Sequence, residues 1–116
     1  MFPSGHWRGF WEAEGWGRHP MDPLELRFSD GQVEGEGCDC IGHFTFHGDY
    51  SDRGELRMVK QYIGQHAVLY EGRVDGEGAV VGQWSVGPGW FGPFALFPVI
   101  EAVEDLPIRT IGKERI

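Results

Sequence analysis

Apolar and polar residues alternate through eight short runs of this chain, and glycine-bearing turn sequences separate the runs. A two-residue period places one set of side chains on each face of a strand, and it does not match the 3.6-residue period of a helix. The expected strands are His6 to Glu12, Leu24 to Ser29, Gln32 to Gly37, Ile41 to His47, Glu55 to Tyr62, His66 to Val74, Ala79 to Ser85 and Pro93 to Phe97. Asp30-Gly31 and Asp75-Gly76 accept the positive backbone angles of tight hairpin turns. Links this short join consecutive antiparallel strands, so the expected fold is all-β, an eight-stranded antiparallel up-and-down meander barrel.

With 116 residues, the chain is long enough for one core and too short for two. The expected domain is a single barrel over residues 1–116, with the barrel at about 5–98 and a tail at 99–116. The tail mixes Ile100, Val103, Leu106, Ile108 and Ile111 with charges and Pro107. Packing across a barrel end, a short helix and contact with a second subunit all fit it. The 19 glycines form no Gly-X-Y run and belong to turns, bulges and tight ring packing. Val33-Glu34-Gly35-Glu36-Gly37 before Gly42-His43-Phe44 resembles Val74-Asp75-Gly76-Glu77-Gly78 before Gly82-Gln83-Trp84. Duplicated hairpins would produce this, and so would the same turn chemistry used twice.

Eighteen acidic against ten basic residues give a formal net charge of -8, which repels nucleic acid and anionic membrane surfaces. Neither is an expected partner. No apolar run approaches the roughly 20 residues of a membrane span, and the first residues lack the basic and apolar regions of a signal peptide. Cys38 and Cys40 are one residue apart, too close to staple the fold, and free thiols suit a reducing compartment. A cytoplasmic location is expected.

The more apolar parity selects an inward set: Trp7, Trp11, Leu24, Leu26, Phe28, Phe44, Phe46, Leu56, Met58, Val68, Tyr70, Val80, Trp84, Phe94 and Leu96. Glycines 9, 35, 42, 72 and 82 share that parity and leave room for rings and sharp strand bends. Lys60, Tyr62 and His66 fall on it too. An inward ammonium must meet an acid, water or a ligand, or else snorkel outward from a strand end.

In a meander, the connections after strands one, three, five and seven share one end. Here they carry Gly15-Trp16-Gly17-Arg18-His19-Pro20, Cys38-Asp39-Cys40, Ile63-Gly64-Gln65 and Gly87-Pro88-Gly89-Trp90-Phe91-Gly92. Trp11, Lys60, Tyr62, His66 and Trp84 point inward near the same end. Aromatic walls with sparse polar groups are the usual composition of a small-molecule site. The expected ligand-binding residues are therefore Trp11, Trp84 and Tyr62 as walls, Lys60 and His66 to orient a polar or anionic group, and Trp16 with Trp90 over the entrance.

Gly5-His6-Trp7 or Gly9-Phe10-Trp11, at the head of a continuous antiparallel layout over residues 5–98, resembles the first-strand glycine-x-tryptophan of calycin-type barrels: lipocalins, fatty-acid-binding proteins and avidin-like proteins. The resemblance implies a small, mostly apolar molecule held within the barrel. The chain departs from the lipocalin pattern in having Gly48-Asp49-Tyr50 after the fourth strand instead of a late turn motif, and only Arg109, beyond Pro107, as the late basic residue.

Other chemistries fit less well. Cys38-Asp39-Cys40 with His43 and His47 offers zinc-type ligands, but on strands the cysteines and histidines face opposite ways. His66 with Tyr62 or Lys60 supplies acid-base groups without an activated nucleophile. The expected function is non-catalytic binding of a small hydrophobic or aromatic molecule, with no metal, cofactor or catalytic residue. The alternative is a filled barrel serving as a protein-interaction or oligomerisation module through Trp16, Trp90, Phe91 or the tail, and a homo-oligomer is compatible with either.

Overall fold

The computed structural model describes residues 2–99. They form β1 (Gly5–Ala13), β2 (Gly17–Ser29), β3 (Gln32–Cys38), β4 (His43–Tyr50), β5 (Glu55–Tyr62), β6 (Ala67–Val74), β7 (Val80–Val86) and β8 (Trp90–Pro98). Each strand pairs antiparallel with the next. β8 returns to β1, with Trp7 opposite Pro98 and Trp11 opposite Phe94, so the sheet closes into the meander barrel that the alternation predicts. Among the described residues there is no helix. The tail from residue 100, with the three roles open to it, lies outside the described residues.

Strand limits differ where proline and glycine mask the alternation. β2 begins at Gly17 rather than Leu24, because Arg18, His19 and Pro20 pair with Glu12, Trp11 and Phe10 despite two prolines. The register shifts between Trp7 and Gly9, leaving Asp22 and Pro23 as a bulge opposite Arg8. A bulge reverses the parity along its own strand. Met21 and Leu24 consequently both face inward and are buried, although simple alternation separates them. β8 starts at Trp90 rather than Pro93, because Trp90, Phe91 and Gly92 pair with Val86, Ser85 and Trp84. β4 starts at His43 rather than Ile41. The preceding residues form a loop closed by reciprocal backbone hydrogen bonds between Asp39 and Gly42, each 3.1 Å.

The inward set is buried as expected, except that Phe28 is only partly buried at a barrel end. Glycine makes close strand approach workable on the inner face. A Cβ at Gly35 would run into the Glu25 carbonyl, and one at Gly82 into the Glu71 carbonyl. Gly42 departs from its expected inward place: it lies in the β3–β4 loop with φ +151° and open space around it. The repeated glycine sequences occupy different elements, 33–37 within β3 and 75–78 in the β6–β7 connection, so they do not mark equivalent hairpins.

The two barrel ends are unlike. At one, Phe2 stacks on Phe28 at 5.0 Å and meets Tyr50 edge-on at 5.4 Å, while the Trp7 indole donates to the Pro3 carbonyl at 2.8 Å. The N-terminal segment thereby plugs that end. The middle is filled by Phe44, Phe46, Tyr70 and Phe94 in edge-on and tilted contacts. Open space inside the barrel is left at the other end.

Candidate functional site at the tryptophan-bearing end

Connections 14–16, 39–42, 63–66 and 87–89 gather at this end, as the meander requires. Beneath them lies a cavity of about 110 Å³ with an almost wholly apolar lining. Trp11, Trp16, Tyr62, His66, Trp84 and Trp90 line it, together with Tyr70, Ile41, Val68 and Val86. The geometry therefore brings together six of the seven residues expected at a mouth. Trp84 stands perpendicular to both neighbouring indoles, at 79° to Trp11 and 85° to Trp90. Its own N–H donates to the Glu12 carbonyl at 2.8 Å, tying β7 to β1. His66 sits exposed on the rim, with its ring 5.2 Å from that of Tyr62.

Lys60 is the exception. Its side chain faces inward but has no exposed surface and does not line the cavity. It has met an acid: Nζ lies 2.6 Å from Oδ2 of Asp39 and also donates to the Tyr70 hydroxyl at 3.1 Å, with the Met21 sulfur 3.4 Å away. A lysine snorkelling outward does not describe it, since its side chain has no exposed surface and Nζ is held by Asp39 and Tyr70. Four aromatic rings surround the ammonium, those of Phe44, Tyr62, Tyr70 and Trp11, with centroids 4.3 to 5.7 Å away.

Asp39 organises this floor. Oδ2 accepts from Lys60, from the Tyr62 hydroxyl at 2.7 Å and from the Trp11 indole at 3.1 Å, while Oδ1 accepts from the Ile41 amide at 2.9 Å. Burial pushes the Asp39 carboxyl up, but the Lys60 ammonium and the hydrogen bonds outweigh it, and the carboxyl lies below its usual range. Burial pulls the Lys60 ammonium down to about 8, against the opposing attraction of Asp39. Burial, reinforced by Asp39, raises the Tyr62 phenol well above its ordinary value, and burial does the same to Tyr70. The polar groups of the floor are thus committed to one another, and the walls above them are aromatic.

Sequence reasoning read Asp39 as a turn residue between two cysteines. The signal that identifies it is the inward lysine, which demands an acid from a loop at the same end. His19, expected in a connection at this end, lies instead on the extended β2 opposite Trp11, its ring 4.5 Å away, with Nδ1 3.4 Å from the Cys40 sulfur, and does not line the cavity. Cys38 and Cys40 are free thiols, and among the described residues no group of three or more histidines, cysteines or carboxylates is arranged to hold a metal ion. The acid-base candidates are separated by role: His66 stands on the rim, whereas Tyr62 and Lys60 both bond to Asp39 beneath it. No family, curated protein or solved structure matches the chain.

Proposed function

We propose that this protein is a calycin-like barrel that binds a small hydrophobic or aromatic molecule, without catalysis, at its tryptophan-bearing end. The observation that carries this reading is the cavity walled by Trp11, Tyr62 and Trp84 and overhung by Trp16 and Trp90. At about 110 Å³ it is smaller than the roughly 150 Å³ dry cavity that takes up benzene. A ligand on this scale inserts one compact group and leaves the rest at the rim, in contrast to the molecule held within the barrel that the calycin resemblance implies. Enclosed Lys60 supports the floor, and the orienting polar contact falls to His66. Cytoplasmic location, free thiols and no nucleic-acid or membrane partner complete the proposal.

Native mass spectrometry of freshly purified protein, compared with the denatured mass, tests it. A stoichiometric extra mass lost on denaturation is the expected result. Failure of any small molecule to perturb the Trp84 indole N–H resonance rejects it.

A second reading rests on exposure. Trp16, Ile63, Trp90 and Phe91 are 62%, 66%, 51% and 57% exposed on strand ends and connections around this mouth. Apolar groups so placed suit contact with another chain, including a second copy. Concentration-dependent association abolished by Trp90→Ala, with no bound mass, favours this alternative.

A further inference from the structure

Resting on the binding reading above, we infer that the group admitted to the cavity is a methylated ammonium, carried on a small molecule or on a modified side chain. Ring orientation and polarity support this, and size is compatible with it.

Trp84 lies nearly perpendicular to Trp11 and to Trp90, so the three indoles bound the space from different directions. Parallel rings would form a slot for a flat aromatic group. Crossed rings form a box, which suits a tetrahedral one. The volume is compatible: about 110 Å³ holds a compact group such as a nitrogen bearing three methyls.

The wall chemistry selects among compact groups. The Trp11 and Trp84 N–H groups and the Tyr62 hydroxyl donate to Asp39 and the Glu12 carbonyl, and the Tyr70 hydroxyl already accepts from Lys60. A carboxylate ligand finds no cation on the lining, because Lys60 is enclosed and paired. A primary ammonium brings three N–H donors and finds almost no acceptor. A fully methylated ammonium has no donors to satisfy, presents an apolar shell and is attracted to the negative faces of aromatic rings.

The charge environment permits this. The Lys60 ammonium beneath the floor is paired with Asp39 at 2.6 Å. Trp11, Tyr62 and Tyr70, which line the cavity, also lie around the Lys60 ammonium, with ring centroids 4.8 to 5.7 Å from it. The chain as a whole carries a formal charge of -8, which draws a cationic ligand inward.

The test titrates the full chain at low ionic strength with choline, with its neutral carbon isostere 3,3-dimethylbutan-1-ol, with ethanolamine and with a short peptide carrying trimethyl-lysine. Indole N–H resonances and calorimetry are the readouts. Choline or the trimethyl-lysine peptide should bind at least about tenfold more tightly than the neutral isostere, with ethanolamine weaker still. Whichever of the two binds more tightly identifies the source of the group. Trp90→Ala, at a half-exposed rim position, should remove most of that preference while near-ultraviolet dichroism stays native-like. Equal or tighter binding of the isostere overturns the methylated-ammonium inference and leaves the apolar-binding reading standing. Absence of binding by every probe up to about 10 mM, with the fold intact, also overturns the methylated-ammonium inference, and the native-mass comparison decides the apolar-binding reading separately.

Discussion

The Lys60 ammonium and the Asp39 carboxylate lie 2.6 Å apart, and neither side chain has any exposed surface. The pair joins the C-terminal part of β5 to the β3–β4 loop and so fixes the floor of the cavity to its margin. A buried pair of this kind adds little over an apolar replacement, but losing one member strands the other. Asp39→Asn should therefore lower unfolding free energy by about 3–5 kcal/mol in urea denaturation. Asp39→Asn combined with Lys60→Met should recover most of that loss. A double variant as unstable as the single one would show that the Trp11 and Tyr62 hydrogen bonds, and not the charge, dominate.

The pH dependence has a defined sign. In the folded chain Lys60 titrates at about 8, whereas its ordinary value is 10.5. From pH 8 upward the unfolded chain holds the proton that the folded chain has released, so the Lys60 contribution to stability rises with pH. Tyr62 and Tyr70 act oppositely, but only above their ordinary value of 10. Lys60→Met should accordingly remove an upward slope in stability between pH 8 and 9.5. Asp39 is depressed, so its contribution is present above pH 3.8 and is lost as pH falls below it. Urea titrations across both ranges, on wild type and Lys60→Met, check the two signs.

Glycine positions should separate into two classes. A Cβ at Gly35 would overlap the Glu25 carbonyl, whereas one at Gly89 meets nothing within 4 Å. Gly35→Ala should cost about 3 kcal/mol or more, because neighbouring strand backbone must move. Gly89→Ala should stay within about 0.5 kcal/mol of wild type. Thermal unfolding of the two variants provides the comparison.

The five tryptophans should divide by accessibility. Trp7, Trp11 and Trp84 are buried, while Trp16 and Trp90 are mostly exposed. Replacing Trp16 and Trp90 together by phenylalanine should remove the acrylamide-quenchable emission and change stability by less than about 1 kcal/mol. Persistent quenching in that variant would mean that the cavity opens to solute more widely than its walls indicate.

Legibility in the sequence followed local periodicity. Strand count, meander order and the inward parity of Phe44, Phe46, Met58 and Val80 were readable because each side chain's face depends only on its own strand. Met21 was hidden because the bulge at Asp22 and Pro23 reverses parity, and the strand position of His19 because glycine and proline obscure the start of β2. The mouth aromatics were found by combining parity with alternating loop ends. Asp39 was not, because its role comes from a contact across 21 residues that no periodicity encodes.

The pairing of β1 with β8 makes this sheet a ring. Residues 7–11 cannot complete their hydrogen bonding until residues 94–98 are present, so the ladder depends on contacts between nearly opposite ends of the described chain. Such high contact order slows folding and leaves two unpaired edges on any chain still awaiting closure. A truncation before Phe94 would thus produce more than a smaller barrel: it would yield an open, sticky sheet, prone to pair with its own kind.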